Sequence, residues 1–287
     1  MTYSIIAKCS ETGQYGVGIQ SHFYAAGNAC WANAGVGAVV TQAMALIDHG
    51  PLGLKLMAKG KSASEALSER LNIDPDPEIR QVAMLDSNGR VAAHTGSVTI
   101  PAAGHVMGEG FSCQANLMWN DTVPQEMADA FVNSNGDLAH RLLTALFAGQ
   151  SAGGDIRGMQ SGRILVVDSN TMDKDWEGIL VDVNVDDHSN PLKEMERLLK
   201  VNTIYSDFTK NGYELELDKT QAEEYPEIAF WTGINLANKG DLEKGRELTD
   251  IALRKHSGWR EILIRCSENK FFGITEDLVK QLLNNEQ

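Results

Sequence analysis

Residues 2–21 read TYSIIAKCSETGQYGVGIQS. The apolar run YSIIA and the run YGVGIQS flank SETGQ, a turn-rich stretch, and this pattern predicts an antiparallel hairpin. The first strand starts directly behind Met1, with a hydroxyl at position 2. A threonine with a free α-amine holds two reactive groups on one residue. Its hydroxyl can attack a carbonyl, and its own amine, with a pKa of about 8, can take the proton. Such a pair works only on a terminus that is held in place, and a strand holds it. Thr2 becomes that terminus when Met1 is removed; with Met1 retained it is a common second residue without this chemistry.

Outward from the hairpin, AGVGAVVTQA is small and β-branched and predicts a buried third strand. Two short helices come next. Pro51 suits a first helical position and Gly60 a stop, and SASE from Ser62 to Glu65 is a capping-box pattern. After the turn DPDPE, RQVAMLD and VAAHTG flank the Asn88-Gly89 turn as a second hairpin. HVMGEGFSCQAN supplies a further strand or two. Thr122 to Gln125 reads as another capping box before a helix, and DLAHRLLTALFAG as a helix stopped by Gly149. RILVVD and ILVDVNVDD are strands joined by the polar stretch SNTMDKDWEG.

Strands, helix pair, strands, helix pair, strands is an α+β order. It predicts two mainly antiparallel sheets face to face with helices outside. From Pro191 the pattern turns helical, so the expected division is residues 1–190 and a helical appendage over 191–287. AFWTGINLANKGDLEKGRELTDIALRKH predicts one helix-turn-helix with Gly240 in the turn. Phe230 and Trp231 leave that hairpin more apolar surface than it can bury, so a homodimer is expected.

The chain has 287 residues, 43% hydrophobic and 22% charged, as a globular domain requires. A net charge of −14 argues against nucleic acid or an anionic membrane as partner. The four cysteines are scattered, with no CxxC pair and no zinc spacing, and with no basic and apolar run ahead of the first strand no signal peptide is expected. A cytoplasmic protein is expected. No nucleotide, flavin or haem motif is present, and no cofactor or metal is expected. The run Asp186-Asp187-His188 alternates between strand faces and suits a strand end better than a metal site. The IDHG at residues 47–50 reads likewise as a turn or cap.

Polar residues at strand ends supply the candidate site. Ser21 ends the second strand beside Thr2, where it either orients a nucleophile or bonds the backbone. Gln42 follows an apolar strand, as a pocket or turn residue. His94 and Thr95 lie in AAHTG, the histidine as acid-base catalyst or as a satisfied structural imidazole. Asn116 can donate to an oxyanion or cap a turn. AGGDIRGMQSG sets Asp155, Arg157, Gln160 and Ser161 among glycines, where arginine can grip a carboxylate and aspartate an amine. Asp155 and Arg157 can equally staple their own loop.

TYSIIAK, GVGIQSHFYAAGN, WANAGVGAVVTQA, RQVAMLDSNGRVAAHTG, GHVMGEGFSCQANLM and AGQSAGGDIRGMQSGRILVV together resemble domain-of-unknown-function family 1028, from Thr2 to about Leu199. That resemblance implies the N-terminal nucleophile (Ntn) hydrolase superfamily and its four-layer αββα sandwich. It implies amide-bond hydrolysis of a small-molecule or peptide substrate, with Thr2, Ser21, His94 and Asn116 as catalytic candidates. Gln42, Thr95, Asp155, Arg157, Gln160 and Ser161 become substrate-binding candidates. The alternative is a non-catalytic ligand-binding or scaffold protein on the same fold.

Overall fold

A computed structural model of the chain describes residues 2–283. The described residues divide into two compact units, one ending at Lys200 and one beginning at Val201.

The first unit is α+β, built on two antiparallel sheets. Six strands form one sheet in the order β10-β9-β2-β1-β8-β7. They are β1 (Thr2–Lys8), β2 (Tyr15–Ser21), β7 (Gly104–Gly108), β8 (Phe111–Asn116), β9 (Ser161–Val167) and β10 (Ile179–Val185). The other sheet runs β3-β4-β5-β6, from β3 (Cys30–Asn33), β4 (Gly37–Ala43), β5 (Arg80–Asp86) and β6 (Val91–Thr95). The stretch expected as one third strand is thus β4 alone, with β3 folded back on it through a left-handed turn at Gly35.

Strand alternation divides the apolar residues into three cores. Tyr3, Ile5 and Cys113 face α3 (Val123–Asn133) and α4 (Leu138–Ser151), where Met127, Phe131, Leu142 and Leu146 meet them. Ile6, Val17 and Ile19 point the other way, onto Val40, Ala83 and Leu85 of the four-stranded sheet. Val39, Val82 and Met84 then face α1 (His49–Ala58) and α2 (Ala63–Asn72) through Leu54, Met57 and Leu67.

Three helix ends depart from the local reading; the first is at Pro51, which is the third residue of α1 and not its opening one. Ser62 and Glu65 complete the capping box of α2, side chain to backbone in both directions. Thr122 does not cap α3: its backbone is already helical, so its hydroxyl makes no cap bond, and Pro124 in the first turn sets the start. Gly149 does not stop α4, which runs on to Ser151. Its hydrogen side chain admits close packing instead, since a β-carbon there would fall 2.9 Å from Met127 Cγ. The left-handed Gly153 and Gly154 end the helix.

Helix α5 (Pro191–Lys210) spans the division. The second unit continues with α6 (Lys219–Glu224), α7 (Pro226–Asn238), α8 (Leu242–Lys255), α9 (Gly258–Glu268) and α10 (Glu276–Leu283). The hairpin α7–α8 turns at left-handed Gly240 and closes through Gly233 against the Gly245 carbonyl. Phe230 is fully buried with Leu263, Ile274 and Leu282, so α9 and α10 cover the face that prompted the expected dimer. Among the described residues no helix is long and apolar enough to cross a membrane.

One buried ion cluster fixes the loop between β4 and α1. His49 Nε2 lies 2.8 Å from Asp74 Oδ2, with both side chains fully buried. Arg80 Nε donates to the same Asp74 oxygen at 3.0 Å, and Arg80 also donates to the Met44 carbonyl at 2.7 Å. Burial pushes the Asp74 carboxyl up, but Arg80, the Asp76 amide and His49 outweigh it and bring the pKa down to about 2. Burial lowers the His49 pKa, and the bond to Asp74 opposes this only in part.

Both groups bind protons less readily folded than unfolded, so stability rises with pH through each window. It should fall first as pH drops below His49's ordinary 6.5, then again from Asp74's ordinary 3.8 toward about 2. Urea unfolding at a series of pH values tests this. Asp74→Asn should cost about 3–5 kcal/mol at neutral pH by leaving the partly buried Arg80 without its anion. It should also remove the lower acid step, and an unchanged acid limb in this variant would refute the assignment.

Candidate functional site

Pairing register gathers polar residues at one end of the facing sheets. Thr2 pairs with Ser21 on one side and Asn116 on the other, and Ser21 pairs with Ser161. In the second sheet Gln42 pairs with Gln81, and Gln81 with Thr95. Residues two apart share a face, so Thr2 and Ser4 lie on the side of Ile6, and Gln42 on the side of Val40. The space between the sheets is apolar at one end and polar at the other.

Gln81 joins the two sheets. Its Oε1 accepts from Gln42 Nε2 at 2.6 Å and from Asn116 Nδ2 at 2.9 Å. Its Nε2 shares two hydrogens among three acceptors, Thr95 Oγ1 at 2.8 Å and the carbonyls of Gly104 and Ala115, each at 3.0 Å. The Thr2 carbonyl accepts from Gln42 Nε2 at 3.2 Å and from Asn116 at 3.4 Å. Thr2 Oγ1 donates to Ser21 Oγ at 3.0 Å. Ser4 donates to Gln42 Oε1 at 2.7 Å and accepts from Gln114 Nε2 at 2.8 Å. All of these residues but Thr95 and Gly104 are buried, so each polar atom must find a partner within the protein or bear a desolvation cost.

A pocket of ≈ 600 Å³ opens over this end. Thr2, Ser21, Gln42 and Arg157 line it, together with the loops that follow β2 and β4. Arg157 is held by Asp155, whose Oδ2 accepts at 2.7 Å and Oδ1 at 3.0 Å from the guanidinium. The fully buried Asp155 carboxylate also accepts from the His22 and Arg157 amides. Ser161 anchors the β2 loop, accepting from the Ala26 amide at 3.0 Å and donating to the Phe23 carbonyl at 2.6 Å.

The remaining candidates lie behind or beside the pocket. Asn116 and Asp155 support lining residues without lining it themselves. Thr95 bridges Gln81 and His105 Nδ1. His94 points elsewhere, with its Nε2 2.9 Å from the Pro77 carbonyl, and it lines a separate depression beside Val91 and Met107. Gln160 reaches Asp187 Oδ1, and its carbonyl accepts from the His188 amide, which ties Asp187 and His188 to the end of β10 as a strand-end turn. His49, from the IDHG segment, is the buried partner of Asp74 and more than a cap. Among the described residues no group of three metal-ligating side chains converges.

Gln81, Ser4 and Gln114 belong to the site but carry no obvious motif. Their signal is alternation: FSCQAN places Ser112, Gln114 and Asn116 two apart, and TYS does the same with Thr2 and Ser4. A polar face on strands this apolar marks a buried network.

The model of the DUF1028 family, described as a family of unknown function, matches residues 2–195. The crystal structure of a DUF1028 protein from Silicibacter pomeroyi is similar at 27% identity and a TM-score of 0.65, covering 72% of this chain and 92% of its own. No curated protein matches the chain.

Gln81→Leu should leave the buried amides of Gln42 and Asn116 with only the Thr2 carbonyl to share, and cost about 2–4 kcal/mol. Gln81→Glu should also destabilise, because a carboxylate cannot donate to Thr95 and the two carbonyls. Chemical denaturation measures both. Wild-type stability in either variant would show that the node is not load-sharing.

Proposed function

The chain belongs to the DUF1028 family, and on that premise we propose that it is an amide hydrolase of the N-terminal nucleophile type. Its first unit is read as the four-layer αββα sandwich of those enzymes. The observation that carries the proposal is Thr2 itself. A hydroxyl at the start of a central strand lies 3.0 Å from Ser21 Oγ and opens on a pocket, while two buried amides grip its carbonyl. That arrangement fixes the residue whose amine and hydroxyl would act together.

Removal of Met1, which lies outside the described residues, would turn the Thr2 nitrogen into an amine. That amine takes the hydroxyl proton as Oγ1 bonds to the substrate's amide carbon. The C–N bond then breaks, and the amine returns the proton to the leaving nitrogen. Water hydrolyses the resulting ester and frees the hydroxyl. Ser21 orients Oγ1. Asn116 positions the Thr2 backbone, since its amide already donates to Gln81 and Thr2. Arg157 binds an anionic substrate group. His94 has no part in this scheme, because its ring is held on the Pro77 carbonyl.

Intact-mass measurement on natively expressed protein should find the methionine removed. A β-lactone electrophile should then label Thr2, located by peptide mass, and Thr2→Ala should lose the label together with any amide turnover. Thr2→Ser should keep both. Retained Met1, or labelling that survives Thr2→Ala, would remove the nucleophile and leave a ligand-binding protein.

A further inference from the structure

The pocket's own walls narrow the ligand. Ten of its sixteen lining residues are apolar, and they occupy most of its surface. Four of the largest stand out at the mouth: Phe23 is 66% exposed, Tyr24 62%, Met44 63% and Ile47 49%. They come from two different loops, Phe23 and Tyr24 after β2, Met44 and Ile47 after β4. Large apolar side chains held together at one mouth mark a binding surface, because a solvated protein gains nothing by exposing them there.

These loops are not loose. Ser161 and the Asp186 carbonyl pin residues 23–26, through the Phe23 carbonyl and the Ala25 and Ala26 amides. Arg80 and the Ile79 carbonyl pin Met44, and Arg80 belongs to the Asp74–His49 cluster. An alanine in the left-handed region stands in the first loop, Ala25 at φ 52°, and another ends β4 where the second begins, Ala43 at φ 66°. Such strain persists only where surrounding bonds enforce it, and it gathers at ligand sites. The apolar rim is therefore preformed, as small-molecule sites are.

The charge is equally one-sided. Among the described residues, Arg157 is the one charged residue lining the pocket, and no carboxylate lines it. Asp155 sits fully buried behind the guanidinium and sets its direction.

We infer that the pocket takes an amphipathic amide that joins an apolar acyl group, seated on Phe23, Tyr24, Met44 and Ile47, to a carboxylate-bearing amine held by Arg157. The inference rests on the hydrolase reading only in calling the joining bond a scissile amide; the apolar and anionic halves follow from the walls.

Calorimetric titration of full-length Thr2→Ala with N-octanoylglycine, N-acetylglycine and octanamide tests it. N-octanoylglycine should bind at least about tenfold more tightly than either of the others, since buried methylenes and the carboxylate each contribute. Arg157→Gln should abolish the preference over octanamide. Because that change leaves the buried Asp155 without its cation, Arg157→Lys is measured beside it and should retain the preference. Tyr24→Ala and Met44→Ala alter exposed side chains and should each reduce the preference over N-acetylglycine. Equal binding of the octanoyl and acetyl compounds would overturn the inference. So would no binding of any probe, including the case of a second copy of the chain covering the rim in sedimentation runs. The two readings fail separately. Selective binding without turnover by the Met1-free protein removes the hydrolase and keeps the ligand class. Turnover of short polar amides without octanoyl selectivity does the reverse.

Discussion

A single side-chain amide, that of Gln81, sets the conditions for everything at the working end of the first unit. It is fully buried between two sheets and uses both of its ends, accepting twice at its oxygen and sharing its two amide hydrogens among three acceptors. Buried polar groups are tolerable only when partnered, so its neighbours are constrained in turn. Gln42 and Asn116 must approach from opposite sheets, and in doing so they meet over the Thr2 carbonyl. The end of β1 is thereby held by bonds from both layers. Apolar packing alone would leave it free to slide. The pocket exists because the sheets stop packing hydrocarbon at this end and begin packing amides.

Two ion clusters do for the loops what Gln81 does for the strands. Asp155 gathers Arg157 and the His22 amide, at the exit of β2. Asp74 gathers His49 and Arg80, beside the exit of β4. Each is a fully buried carboxylate shared among several donors, the arrangement in which desolvation is offset by multiple hydrogen bonds. The backbone is consequently tied down on both sides of the mouth.

Much of this was legible in the residues, and the limits have physical causes. Alternation and turn chemistry marked the hairpins, because period-two patterns and Asn-Gly turns act locally. The pairing of Thr2 with Ser21 followed from the hairpin alone. The pairing of Thr2 with Asn116 did not, since β8 joins β1 from over a hundred residues away and nothing local encodes it. Gly149 looked like a helix stop because a glycine's need for space cannot be told from its need for φ until Met127 lies against it. His94 looked catalytic because an imidazole beside small residues has the same letters whether it faces a pocket or a carbonyl. Gln81 carries no local signal: its role depends on being level with Gln42 and Thr95, which is a property of register.

The place of β1 in its sheet has a consequence for how the chain is made. It precedes every other strand of its sheet in the chain, yet it lies in the interior of that six-stranded sheet. Its hairpin with β2 can form at once, but its other edge stays open until β8, residues 111–116, has emerged, and β2 likewise waits for β9, residues 161–167. Contacts this distant in sequence are slow to close. The nascent hairpin, apolar on both faces, must therefore persist unpaired through more than half of the first unit's synthesis. That interval makes its exposed edges the natural point of engagement for a holding chaperone, and the natural seed of aggregation when synthesis outruns it.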